Sequence, residues 1–115
     1  MNNIAQELYQ KVEDGLNPAQ HTSSNGLTIT LRYADTHGQR FWTLSLTKRH
    51  RQASSREREK AREAFNVPSD AQWTPTYRRG YGIIRYTWIE KRAEQMQLAG
   101  LGSGGEFNNW QEKFD

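Results

Sequence analysis

The sequence predicts a single small α+β domain in which two hairpins form an antiparallel sheet of about four strands, with helices on one face. A chain of 115 residues has room for about one domain. Segments 27–34 and 40–47 alternate between apolar and polar residues, as strands of a half-buried sheet do. A segment with helical spacing of apolar residues precedes the first strand pair, and a segment that begins with a capping motif separates the two pairs. A third helical segment follows the second pair, so the predicted order is α-ββ-α-ββ-α.

The composition indicates a small core. Leu, Ile, Val and Phe make up roughly 17% of the chain, below the level of about 20% under which chains tend towards disorder. A modest net charge of +3, four tryptophans and five tyrosines argue against full disorder. We therefore expect a folded domain over residues 1–99 with loosely held ends, a glycine-rich linker over 100–105 and a tail over 106–115.

The first half of the chain predicts a helix followed by a hairpin. Ile4, Leu8 and Val12 recur at helical spacing within residues 3–14, and Gly15 is placed to end that helix. A polar loop is expected over 17–26. The strand pair that follows has one apolar face, and its residues are Leu27, Ile29, Leu31 and Tyr33 from the first strand and Trp42, Leu44 and Leu46 from the second.

The second half predicts a helix, another hairpin and a short final helix. Ser54 and Glu57 have the spacing of a capping box, which starts a helix that runs to about residue 65. Segments 72–77 and 82–89 are the second strand pair, joined by residues 78–82. Residues 90–99 suit a last helix, which Gly100 ends.

Several functional classes are excluded at this stage. The chain has no cysteine, so it has no disulfide, thiolate metal site or cysteine nucleophile. Its three histidines lie in separate predicted loops, and we predict no metal site, no cofactor and no catalytic residue. Its apolar runs are two or three residues long, and its first residues lack the basic and apolar regions of a secretory signal. We therefore expect a cytoplasmic protein with no membrane partner and no evident small-molecule substrate.

The charge is unevenly distributed. Residues 1–31 carry one cation and three anions, residues 32–92 carry fourteen cations and six anions, and residues 93–115 carry one cation and four anions. A basic middle attracts polyanions and speeds their encounter, and the acidic ends could instead fold back and screen it. The alternative interpretation is that these charges only keep the protein soluble.

Basic and aromatic residues occur together at two places in this basic middle. The candidate contacts for a nucleic acid or protein partner are Lys48, Arg49 and Arg51 in a connector, Arg78, Arg79, Tyr81 and Arg85 around the second hairpin, and Trp73. Arginine and lysine side chains bind phosphates, while exposed aromatic rings stack on bases. A solvated loop is the alternative interpretation of the connector.

The octapeptide Arg-Gly-Tyr-Gly-Ile-Ile-Arg-Tyr, residues 79–86, resembles the RNP1 motif of the RNA-recognition family. The resemblance implies that Tyr81 stacks on a base, that Arg79 reaches a phosphate, and that glycines let nucleic acid approach the strand. Residues 41–46 faintly resemble the companion RNP2 strand, but their apolar side has the wrong phase. The strand over 27–34 is additional, and the family's last strand has no counterpart here. We therefore do not assign the chain to that family.

The tail carries three aromatic residues behind the glycine-rich linker. Phe107, Trp110 and Phe114 are spaced i, i+3, i+7, which predicts one aromatic stripe of a helix. Such a segment is either a strap that docks on its own domain or a peptide that enters another protein's groove.

These observations lead to three functional hypotheses. The first is a small non-enzymatic accessory protein that binds a macromolecular partner through its basic, aromatic surface. It would be a subunit or inhibitor of a nucleoprotein machine, of the kind that phages or mobile elements encode. The second is direct binding of single-stranded nucleic acid through the RNP1-like hairpin. The third is a small metal-dependent nuclease, although Glu59 and Glu63 are better explained as ion-pair partners along their own helix.

Overall fold

The computed structural model describes residues 3–90, which form two helices and five strands. The elements are α1 (Asn3–Glu13), β1 (Ala19–Thr22), β2 (Thr28–Thr36), β3 (Gln39–Arg49), α2 (Ser55–Ala64), β4 (Gln72–Arg78) and β5 (Tyr81–Ile89). The small α+β domain is therefore confirmed, but its sheet has five strands instead of about four. Only Glu90 of the predicted third helix over 90–99 is described, and the rest of that helix, the linker over 100–105 and the tail over 106–115 lie outside the described residues.

All five strands form one antiparallel sheet in the order β1-β2-β3-β5-β4. The two predicted hairpins are present, β2 with β3 and β4 with β5. Each closes through two residues with positive φ, His37 and Gly38 in the first turn and Arg79 and Gly80 in the second. Such turns match the twist of the flanking strands. Because β5 lies between β3 and β4, the path β3-α2-β4-β5 is a split β-α-β arrangement.

The strand β1 corrects the prediction of a continuous polar loop over residues 17–26. Its four residues, Ala-Gln-His-Thr, contain one apolar side chain and therefore show no alternation that a sequence pattern can detect. The strand forms because its backbone N–H and C=O groups pair with those on the edge of β2 that faces away from β3. Just before it, the Asn17 carboxamide continues the ladder, since its Nδ2 donates to the Tyr33 carbonyl at 2.9 Å and its Oδ1 accepts from the Tyr33 N–H at 3.1 Å.

Both helices pack against the same face of the sheet and share one core with it. The predicted stripe of α1 is confirmed, since Leu8 and Val12 are fully buried and Ile4 packs against the core. The predicted capping box of α2 is also confirmed at Ser54. The Tyr9 hydroxyl joins the two helices by donating to the carbonyl of Phe65 at 2.8 Å.

The centre of this core is aromatic, which compensates for the few aliphatic residues. The Tyr9 and Trp42 rings meet edge to face with centroids 5.1 Å apart, and Trp42 stacks on Trp88 at 6.4 Å. Such ring pairs stabilise a core beyond the area that they bury. Neither helix in the part of the chain described here is long and apolar enough to cross a membrane.

Candidate functional site

The sheet has a second face on which neither α1 nor α2 lies. Because neighbouring residues of a strand point to opposite sides, this face is formed by the residues that alternate with the buried core positions. We call it the open face. Its residues on the four longer strands are Thr28, Thr30, Arg32 and Ala34, then Phe41, Thr43, Ser45, Thr47 and Arg49, then Tyr81, Ile83, Arg85, Thr87 and Ile89, and finally Gln72, Thr74, Thr76 and Arg78.

The open face is positively charged. It carries four exposed arginines, Arg32, Arg49, Arg78 and Arg85, and within residues 3–90 no aspartate or glutamate lies on it. No ion pair joins any of the four to another described residue. Most of the other residues on the open face are threonine and serine, whose side chains carry hydroxyl groups. A surface of this kind raises the local concentration of polyanions and offers hydrogen bonds to them.

Tyr81 lies between two of these arginines. The register pairs Tyr81 with Arg49 on β3 and with Arg78 on β4, so the three residues form one row across the sheet. Side chains in such a row have Cβ atoms about 5 Å apart. Tyr81 is 41% exposed, and Ile83 and Arg85 follow it along β5 on the same face. The row therefore places an accessible aromatic ring beside two guanidinium groups, which suits a base flanked by phosphates.

The structure brings together the two basic segments that the sequence analysis identified separately. Lys48 and Arg49 belong to β3 and not to the predicted connector, which begins at His50. The connector meets the turn between β4 and β5, where the His50 N–H donates to the Gly80 carbonyl at 2.7 Å. Arg49 and Arg78 are 29 positions apart in the chain but stand on either side of Tyr81. Arg79 lies in the turn itself, in the left-handed region with φ of 50°.

Gly82 has a different role from the one that the RNP1 resemblance implies. It faces the helix side of the sheet, where the connector runs across it. A Cβ at this position would come within 2.5 Å of the Arg51 carbonyl oxygen. The absence of a side chain at Gly82 therefore lets the connector backbone pack against β5, and it does not open the strand to a ligand.

Lys48 and Arg51 serve the fold and do not lie on the open face. The Lys48 Nζ is 2.8 Å from the Glu57 Oε2, and the Arg51 Nη1 is 3.5 Å from the Glu57 Oε1. Glu57 also accepts hydrogen bonds from the Ser54 N–H and from Asn25. Partial burial opposes ionisation of the Glu57 carboxyl, but these hydrogen bonds and the charge of Lys48 outweigh it and lower its pKa to about 2.

Replacing Glu57 with Gln is expected to lower the free energy of unfolding at pH 7 by about 2–3 kcal/mol, because the folded-state pKa lies below the unfolded value of about 4.3. The ionised carboxyl stabilises the fold fully above about pH 4.5, and this contribution is lost as the pH falls towards 2. Urea unfolding at pH 7, 4 and 2.5 measures it, with the exposed Glu63→Gln as control. A stability difference between wild type and Glu57→Gln that is the same at all three pH values would contradict this account.

Trp73 lies on the side of the sheet opposite Tyr81. Together with Tyr77 it faces the helix side of β4, at exposures of 53% and 68%. The Arg58 guanidinium lies 5.8 Å from the centre of the Trp73 ring, and the Tyr86 ring lies 6.5 Å away. A cleft of about 330 Å³ separates Trp73 from α2. Trp73 and Tyr81 therefore do not belong to one contact surface on a single face.

Part of the open face was not predictable from motifs in the sequence. Arg32 and the threonines of β2 and β3 were not predicted to belong to a site, although the alternation of segments 27–34 and 40–47 places them on the polar side of their strands. Ile83 and Phe41 were not assigned to a site. The available signal was the alternation itself, since every residue that faces away from the core in four neighbouring strands lies on one surface once the strands pair.

The RNP1-like segment has the orientation that the resemblance implies, but the RNP2-like segment does not. Ile84 and Tyr86 are buried, and Tyr81, Ile83 and Arg85 reach the open face. On β3 the aromatic Trp42 is buried, while Phe41 pairs with Ile89 at the far end of the sheet. At the usual rise per residue this places Phe41 about 26 Å from Tyr81 along the strands, too far for one ring pair.

Comparison with protein families, with curated proteins and with solved structures finds no match to this chain. The resemblance to the RNP1 motif therefore remains one of a single octapeptide.

The carboxylates considered for a nuclease, Glu59 and Glu63, lie one turn apart on α2. Glu57 is held by Lys48, and Glu59 is paired with Arg62 at 2.9 Å, as the helix spacing predicted. The described residues contain no group of three or more histidines and carboxylates placed to hold a metal ion.

Proposed function

We propose that this protein is a non-enzymatic binding protein that holds single-stranded nucleic acid on the open face of its sheet. The observation that carries the proposal is the row Arg49–Tyr81–Arg78, set in a face with two further arginines and no carboxylate among the described residues. The arginines would contact phosphates, and Tyr81 would stack on a base. The threonine hydroxyls would contribute hydrogen bonds that carry little sequence preference.

The shape of the open face favours a single strand over a duplex. Five strands about 4.8 Å apart make a surface at least 19 Å wide. The major groove of B-form DNA is about 12 Å wide and admits a helix or a two-stranded ribbon, so it does not admit this sheet. Unpaired bases, in contrast, reach a flat surface directly and stack on its exposed ring.

A second candidate function is docking of a protein partner, as a subunit or inhibitor of a larger nucleoprotein assembly. The observation that favours it is the pair of exposed aromatic residues Trp73 and Tyr77 on the helix side of the edge strand β4. Aromatic residues and arginine dominate interface energetics, and Arg58 lies beside Trp73. The two functions are compatible because they use opposite sides of the sheet.

Fluorescence anisotropy with labelled oligonucleotides tests the first proposal. Four arginines that each neutralise one phosphate predict a slope of log affinity against log salt of about −3, or roughly a 50-fold loss of affinity between 50 and 200 mM salt. Single-stranded RNA or DNA is expected to bind more tightly than a duplex of the same length. An absence of binding at 50 mM salt, or tighter binding to the duplex, would contradict the proposal.

Tyr81→Ala is expected to weaken this binding about tenfold, because stacking of one base on an aromatic ring contributes about 1–3 kcal/mol. Tyr77→Ala is the matched control, since Tyr77 is more exposed but faces the helix side. The same anisotropy titration measures both variants. Equal losses in the two would show that the contact is not on the open face.

A further inference from the structure

The chain leaves the described domain at the end of β5, where Ile89 is on the open face and Glu90 is on the helix side, its Oε1 accepting from the Trp42 Nε1. Strand β5 ends at Ile89, which is 41% exposed and pairs with Phe41 on that face. The row Arg49–Tyr81–Arg78 lies at the other end of the same strand, about 26 Å away by the usual rise per residue. Whatever follows Glu90 therefore starts at one end of the positively charged surface.

The segment 106–115 is complementary to that surface in charge. It carries Glu106, Glu112 and Asp115 against a single lysine, and its aromatic residues are Phe107, Trp110 and Phe114. The open face has four arginines without a carboxylate partner among the described residues, together with the partly exposed apolar side chains of Tyr81, Ile83 and Ile89. The two surfaces thus carry opposite charges, and both have apolar side chains that can pack together.

The intervening chain is long enough to connect the two. Sixteen residues lie between Ile89 and Glu106, and six of them form the run 100–105, which contains four glycines. If residues 90–99 form the helix that their sequence predicts, they span about 15 Å, and six extended residues add about 20 Å. This total of about 35 Å exceeds the distance of about 26 Å between Ile89 and the arginine row, so residues 106–115 can reach that row without any change in the domain.

We propose that residues 106–115 occupy the open face when no nucleic acid is bound and compete with nucleic acid for it. The competition rests on the proposed function, because it requires nucleic acid to bind the open face. The docking of residues 106–115 does not depend on that function. The cleft beside Trp73 is a poorer place for an acidic segment. Its Arg62 is already paired with Glu59, and its Arg58 donates to the Ala53 carbonyl and to Ser55.

A spin label tests the docking without nucleic acid. The chain has no cysteine, so Ser103→Cys in the full-length protein accepts one label next to the tail. Paramagnetic broadening is expected at the amides of Tyr81, Ile83 and Arg85, and it should weaken at high salt because the contact is partly ionic. Broadening centred on Trp73 and Tyr77 would overturn the inference. Broadening of the open-face amides that is no greater than in a denatured sample would overturn it as well.

Neutralising the tail tests the competition. The full-length triple variant Glu106→Gln, Glu112→Gln, Asp115→Asn is expected to bind single-stranded oligonucleotides about fivefold more tightly, as it would if the tail occupies the face for roughly four-fifths of the time. The matched control is Glu7→Gln, Asp14→Asn, Glu63→Gln, which changes the net charge equally at exposed positions on the helices and just after α1. Equal gains in the two variants would contradict the competition.

The two proposals fail in different ways. If no variant binds nucleic acid but the spin label broadens the open face, the proposed function is wrong and the tail docking is retained. If the wild type binds nucleic acid and the label leaves the open face unchanged, the docking is wrong and the proposed function is retained.

Discussion

Reversing two charges on the open face, Arg78→Glu together with Arg85→Glu, is expected to weaken binding of single-stranded nucleic acid about 100-fold at 100 mM salt. Each substitution removes a phosphate contact, and each adds a carboxylate to a face that has none among the described residues. The slope of log affinity against log salt should become shallower, from about −3 to about −1.4, because two contacts are lost. Anisotropy titrations between 50 and 200 mM salt measure both quantities.

The matched control for this variant is Arg56→Glu together with Lys60→Glu. Both residues are exposed on α2, on the covered side of the sheet, and the change in net charge is the same. The control should lose only the small, general part of the attraction that depends on net charge. An equal loss in both double variants would mean that total charge, and not the open face, determines the affinity.

The second large effect is expected from Gly82→Ala, which should destabilise the domain by about 2–3 kcal/mol and lower its melting temperature by roughly 10–20 °C. A Cβ at this position would lie 2.5 Å from the Arg51 carbonyl oxygen and 2.7 Å from the Gln52 Cα. Both are backbone atoms, so the overlap is relieved only if the connector moves away from β5. That movement would also disturb the hydrogen bond from His50 to Gly80.

Gly26→Ala separates this overlap from the ordinary cost of replacing a glycine. Gly26 has a φ of 87°, and a Cβ there would meet no other atom within 4 Å, so its substitution adds backbone strain of about 1 kcal/mol and no collision. Urea unfolding measures both variants. A Gly82→Ala protein that is no less stable than Gly26→Ala would contradict the close packing of the connector.

Much of the fold was predictable because its strongest elements carry local signals. Two hairpins, the stripe of α1 and the capping box of α2 each depend on residues a few positions apart. β1 was not predictable, because its stability comes from the edge of β2 and not from its own four residues. Its pairing with β2 turned a polar loop into the fifth strand.

The candidate site was predictable in residue type but not in arrangement. The basic and aromatic residues of the open face are visible in the sequence, yet pairing alone decides which of them meet. Lys48 and Arg49 are adjacent, but strand alternation sends Lys48 to Glu57 and Arg49 to the row with Tyr81. The same rule separates Trp73 from Tyr81, because Trp73 faces the buried Tyr86 across β4 and β5.

The measurement that tests the open face most directly is an NMR titration of the isotope-labelled full-length protein with an unlabelled single-stranded oligonucleotide. The largest shifts are expected at the amides of Arg49, Tyr81, Ile83 and Arg85, and the side-chain signal of Trp73 is expected to move little. Shifts concentrated on Trp73, Tyr77 and α2, with the open face unchanged, would contradict this expectation and place the nucleic acid on the other side of the sheet.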